Sequence, residues 1–140
     1  MPSRVLYLLD FSSYIYRAFH AIRALTTSQG FPTNAAFGVT NMLLKVLRER
    51  QPQYLALALD SKAPTFRHRE YPEYKAHRPP MPEELALQLP YIQKIVQGLN
   101  LPKLAMEGFE ADDLIATLVR QARTQGFEVV ILSGDKDLLP

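Results

Sequence analysis

Val5-Leu6-Tyr7-Leu8-Leu9-Asp10 decides the fold. Five apolar residues without a polar break, ended by an acid, read as a strand buried on both faces. Ser12 or Ser13 is placed to cap a following helix, whose apolar positions Ile15, Ala18, Phe19 and Ile22 keep helical spacing. The same pattern returns twice. Tyr54 to Leu59 is a second apolar run ended by Asp60, and Phe127 to Leu132 is a third, followed by Ser133-Gly134-Asp135.

Helices fill the intervals. Thr26 to Asn34, with Gly30 and Pro32, reads as a loop. Asn34 is placed to cap a helix carrying Val39, Met42, Leu43, Val46 and Leu47, closed by Gln51-Pro52. Leu85, Leu89, Ile92, Ile95, Val96 and Leu99 have helical spacing, and Pro90 must kink or split that segment. Leu101 to Met106 is a candidate short strand. Glu110 opens a helix with Ala111, Leu114, Ile115, Leu118, Val119 and Ala122 in one stripe, ended by Gly126. Strands alternating with helices predict an α/β fold: a mostly parallel sheet with helices on both faces. The chain stops at Pro140, after an acidic turn where such a domain usually continues into a helix. It therefore reads as the front part of something longer.

Composition sets the outer limits. A chain of 140 residues with 47% apolar and 21% charged residues can bury one ordinary core. It has no Cys, which excludes disulfides, thiolate metal sites and cysteine nucleophiles. No apolar run approaches the ~18 residues of a membrane span, and no cleavage site follows the N-terminal run, so a cytoplasmic protein without membrane contact is expected. The net charge is only +2, but its distribution is uneven. Residues 1–50 carry Arg4, Arg17, Arg23, Lys45, Arg48 and Arg50 against Asp10 and Glu49. Residues 61–80 carry Lys62, Arg67, Arg69, Lys75 and Arg78 against Glu70 and Glu73. Residues 107–140 carry Glu107, Glu110, Asp112, Asp113, Glu128, Asp135 and Asp137 against Arg120, Arg123 and Lys136. A basic front and middle beside an acidic end suits a polyanion together with a divalent cation, although solvated surface charge gives the same counts.

The acids gain meaning from the fold. Parallel strands bring Asp10, Asp60 and Asp135 to the carboxyl edge, where open α/β sheets bind ligands. Asp137 follows, and Glu110, Asp112 and Asp113 start a helix at that edge. Singly, each has an ordinary explanation as a turn residue or a complement to a helix dipole. Together, half of the chain's 14 acids would converge there. Like charges that close need protons or a cation, and an all-oxygen donor set suits Mg²⁺ or Mn²⁺. On a regular wheel of ~100° per residue, Glu110 and Asp112 flank the apolar stripe and Asp113 points nearly opposite. The segment 61–82 has complementary chemistry. It carries five prolines, and Phe66-Arg67, Tyr71, Tyr74-Lys75 and His77-Arg78 interleave rings with cations that could neutralise phosphates and stack on bases. No regular core element fits it. His20 reads as a helix surface residue, and His68 and His77 as loop residues.

These motifs, in this order, resemble the 5′-nuclease domains of bacterial DNA polymerases I, the prokaryotic branch of the flap endonuclease family. The resemblance rests on Val5 to Ile22, Asp60-Ser61-Lys62-Ala63-Pro64-Thr65-Phe66-Arg67, Tyr74-Lys75-Ala76-His77-Arg78-Pro79-Pro80-Met81-Pro82, Gly108-Phe109-Glu110-Ala111-Asp112-Asp113 and Ser133-Gly134-Asp135-Lys136-Asp137. It covers essentially the whole chain. It implies a PIN-like 5′-nuclease catalytic core, truncated on its C-terminal side: residues 1–140 as the N-terminal portion of one domain, with a basic arch-like segment at about 61–82. The implied activity is structure-specific, metal-dependent hydrolysis of DNA at 5′ flaps and 5′ ends in replication and repair, with a covalently linked polymerase domain as a possible partner.

The implied metal ligands, for Mg²⁺ or Mn²⁺, are Asp10, Asp60, Glu110, Asp112, Asp113, Asp135 and Asp137. Lys75 and Arg78 take the catalytic places near the scissile phosphate. Arg17 and Arg67 contact DNA with them, and Tyr74 stacks on a base. The family usually has Asp-Gly where this chain has Asp10-Phe11, which predicts a bulky side chain near the site. Its later aspartate pair and Gly-rich duplex-gripping motif would lie beyond Pro140. A catalytically inactive DNA- or metal-binding fragment is the alternative, and a toprim or haloacid-dehalogenase type of acidic α/β domain fits more loosely.

Overall fold

The computed structural model describes residues 4–60, 81–106 and 109–133. Strand β1 (Arg4–Asp10) leads directly into helix α1 (Phe11–Ala21). Helix α2 (Asn34–Arg50) and strand β2 (Tyr54–Ala58) follow. Helices α3 (Glu83–Ala86) and α4 (Leu89–Gly98) precede the two-residue strand β3 (Lys103–Leu104). Helix α5 (Ala111–Thr124) and strand β4 (Phe127–Ser133) close the described chain. The four strands form one sheet in the order β3-β2-β1-β4, every pair parallel, as the alternating pattern predicts. Asp10 lies level with Ala58 of β2 and Ser133 of β4.

Strand alternation splits the core between the two faces. Leu9 and Leu57 pack with Phe11, Ile15, Ala18, Ala35, Val39, Leu43, Leu85, Ile92 and Val96 from the first four helices. Leu8, Ala56 and Ala58 pack on the other face against Ala111, Leu114 and Ile115 of α5. Helices α1 and α2 approach so closely at Gly38 that a Cβ there would lie 2.5 Å from Ile22 Cδ1 and 2.8 Å from Ala18 Cβ. Pro90 splits its segment as expected, sitting in the first turn of α4, where its missing N–H costs nothing.

Three local expectations need correction. Neither Ser12 nor Ser13 caps α1. Asp10 does, because the strand runs into the helix without a linker, and its carboxylate accepts the Ser13 N–H. Asn34 is not a cap either but the first residue of α2. Its Nδ2 donates to the carbonyls of Phe19 and Ile22 (2.9 and 3.2 Å), so it closes the C-terminal end of α1, where carbonyls lack helical partners. Its Oδ1 accepts from Nε2 of the fully buried Gln88 (2.9 Å), whose Oε1 accepts the Ala36 N–H. Finally, the Phe11 ring is 2% exposed within the helical core, so its bulk fills that core.

Candidate active site

The carboxyl edge is built by two helix starts and three strand ends. At the first start, Asp10 ends β1 and caps α1. It is buried, 4% exposed. Its Oδ1 accepts the Ser13 N–H at 3.2 Å, and the Ser13 hydroxyl donates to the Asp10 carbonyl at 2.7 Å. The Ser13 and Ser133 hydroxyls meet at 3.1 Å, which ties α1 to the end of β4.

At the second start, Glu110 holds the cap position of α5 in extended conformation, buried and without a side-chain capping bond. Asp60 supplies that bond from elsewhere in the chain. Its Oδ1 accepts the Ala111 N–H at 2.8 Å, at the positive end of the helix. The Asp60 N–H donates to Ser12 Oγ at 3.1 Å. Asp60 therefore bridges α1 and α5.

Electrostatics follow from this assembly. Burial, opposed by the Ser13 N–H and reinforced by the charges of Asp112 and Asp60, raises the Asp10 carboxyl from 3.8 to about 6. Asp10, Asp60 and Asp112 are thus within electrostatic reach of one another. Burial also raises the Tyr14 phenol, with the Arg17 charge opposing it and Asp10 adding to it. Arg17 itself is exposed on α1, and His20 is exposed as expected.

Asp113 is half-buried and Asp112 exposed, the reverse of the wheel's ranking. The wheel scores only the side facing the sheet, and the first turn of α5 stands at the edge. Among the described residues, no three acids or histidines are grouped tightly enough to hold a metal ion. Asp135, Asp137, Arg67, Tyr74, Lys75 and Arg78 lie outside the described residues. The donor chemistry at the edge fits a hard divalent cation: oxygen only, with the Asp10 carboxylate desolvated and within electrostatic reach of Asp60 and Asp112. The tandem serines went unread as site residues. Their signal was position, in the first helical turn behind an acid at a strand end.

Residues 5–140 match the model of the 5′–3′ exonuclease N-terminal, resolvase-like domain. The chain belongs to this family. It is 46% identical over 134 residues to DNA polymerase I of Caldicellulosiruptor bescii, covering 96% of this chain and 16% of that protein. It is 45% identical over 136 residues to a 5′–3′ exonuclease of Aquifex aeolicus, covering 97% of this chain and 47% of that one. This family member thus spans about half of that exonuclease and about a sixth of that polymerase. Its fold matches a bacteriophage T5 flap endonuclease solved as a pseudo-enzyme–product complex with DNA and metal ions, with TM-score 0.63 and 18% identity over 95% of this chain and 50% of that one. Among the described residues, no helix is long and apolar enough to cross a membrane.

Proposed function

We propose that this chain is the front part of a structure-specific 5′ nuclease that hydrolyses phosphodiester bonds of DNA at 5′ flaps and 5′ ends, using Mg²⁺ or Mn²⁺, in the cytoplasm. The observation that carries the reading is the meeting of Asp10, Asp60 and the acidic first turn of α5 at the carboxyl edge of a parallel sheet. The family membership and the DNA and metal ions in the T5 complex support it.

In this reading Asp10, Asp60, Glu110, Asp112 and Asp113, with Asp135 and Asp137, hold the divalent cations. A bound cation supplies Lewis acidity and a lowered pKa for water. The chain's own residues do the rest. The carboxylates orient the attacking water. Lys75 and Arg78 offset charge on the phosphate. Arg17 and Arg67 bind the DNA backbone, and Tyr74 stacks on a base. A linked polymerase domain is the partner that the polymerase relatives suggest.

The test uses the full natural chain with a 5′-flapped duplex and Mg²⁺. Asp112→Asn is expected to lower turnover by at least about 100-fold while binding the flap as well as wild type or better, since a negative charge beside phosphate is lost. Lys75→Ala and Arg78→Ala are expected to lower turnover with at most a modest loss of affinity. Unchanged cleavage by Asp112→Asn would remove the carboxylates from the mechanism.

A further inference from the structure

Asp10 and Asp60 come from different strands, and Asp60 lies two residues past the end of β2. Some contact other than strand pairing must fix the distance between them. Ser12 makes it, because its Oγ accepts the Asp60 N–H at 3.1 Å from the helix turn that Asp10 caps. Ser13 performs the same service on the other side of β1. Its N–H holds Asp10 Oδ1, and its one hydroxyl proton goes to the Asp10 carbonyl. The 3.1 Å contact with Ser133 is then donated by Ser133, which ends β4. Two adjacent side chains on one helical turn thus pin the ends of both strands that flank β1.

We propose that Ser12 and Ser13 are positioning residues that set the separation of Asp10 and Asp60 and hold the end of β4 against α1, so that the carboxylates meet a divalent cation at one fixed geometry. This rests on the metal reading above. Groups that orient metal ligands without touching the metal typically account for ten- to hundredfold in affinity. A hydroxyl suits this role, since it is short, accepts an amide proton and adds no charge to an already anionic edge.

The test is Mn²⁺ binding to the full chain, read from the free-ion spin-resonance signal, with circular dichroism checking that each variant folds. Ser12→Thr and Ser12→Val have nearly the same shape, and only the first keeps the acceptor. Ser12→Thr should bind Mn²⁺ within about twofold of wild type, and Ser12→Val about tenfold more weakly. Ser13→Ala should also lose about tenfold, and it carries the test if the Ser12 variants fail to fold. A merely structural serine would lower the melting temperature and leave Mn²⁺ affinity alone. Equal affinity in wild type, Ser12→Val and Ser13→Ala would overturn the inference and leave the metal reading standing. Absence of Mn²⁺ binding by wild type would overturn both.

Discussion

Helices α1 and α5 both begin at the carboxyl edge behind an acid, yet they are capped differently. Helix α1 is capped by its own neighbour, Asp10, through the Ser13 N–H. Helix α5 has Glu110 in the cap position, and its first amide is taken by Asp60, 51 residues earlier. The first cap fixes local geometry only. The second also fastens α5 to the end of β2. Each acid gives one oxygen to a helix start, and burial raises the Asp10 carboxyl. One edge thus holds one carboxylate tuned by burial and one anchored by a helix.

Substitutions that keep the caps and remove the charges should break the comparison hardest. Asn retains a carbonyl acceptor, so Asp10→Asn and Asp60→Asn should fold with both helix starts intact. Flap cleavage by the full chain should nonetheless fall by at least about 100-fold in each, as measured by single-turnover kinetics. Retained cleavage in Asp60→Asn alone would make Asp60 a cap and nothing more.

Stability against pH should test the burial of Asp10 next. The Asp10 carboxyl is raised to about 6 from 3.8, so the folded state takes up its proton more readily than the unfolded one. Its contribution to metal-free stability is therefore full below about pH 4 and lost as pH rises through about 6, a loss of order 1–2 kcal/mol after solvent screening. Urea melts in chelator should show this slope, and Asp10→Asn should remove it. Millimolar Mg²⁺ should raise the wild-type melting temperature more at pH 7.5 than at pH 5, because the cation takes the place of the missing proton.

Cap removal should have the smaller effect. Asp60→Ala should cost about 1 kcal/mol at pH 7 and speed amide exchange at Ala111. Asp10→Ala should cost less at that pH, because losing its cap is offset by losing a buried charge. Equal costs in chemical denaturation would show that burial at Asp10 has no energetic consequence.

The strands and their direction were legible because continuous apolar runs ended by acids carry both period and polarity. The stripe of α5 was legible too: Ala111, Leu114, Ile115 and Ala122 are its buried residues. Phe11 could have been placed in the core, since it lies one turn before Ile15 on the same face. What escaped was polar and long-range. Asn34 looked like a cap by type and position, and its partners in α1 and at Gln88 declare themselves only after folding. Gln88 carried one trace, a polar residue at helical spacing between Leu85 and Ile92. The reach of Asp60 to α5 left no local mark, because nothing in a cap motif predicts a cap borrowed from another strand.

The pairing of β1 carries a consequence for synthesis on the ribosome. Its first edge is covered by β2, but its second edge waits for β4, and the Ser13–Ser133 contact spans 120 residues. Helices α1 and α2 can pack while the chain is still emerging, since their contacts are close in sequence. The middle of the sheet cannot. Until Phe127 to Ser133 has left the exit tunnel, Val5 to Leu9 presents a bare apolar edge to other nascent chains. A slow stretch of translation before β4 would lengthen that exposure, and a chaperone that binds short extended apolar segments would find its target in β1.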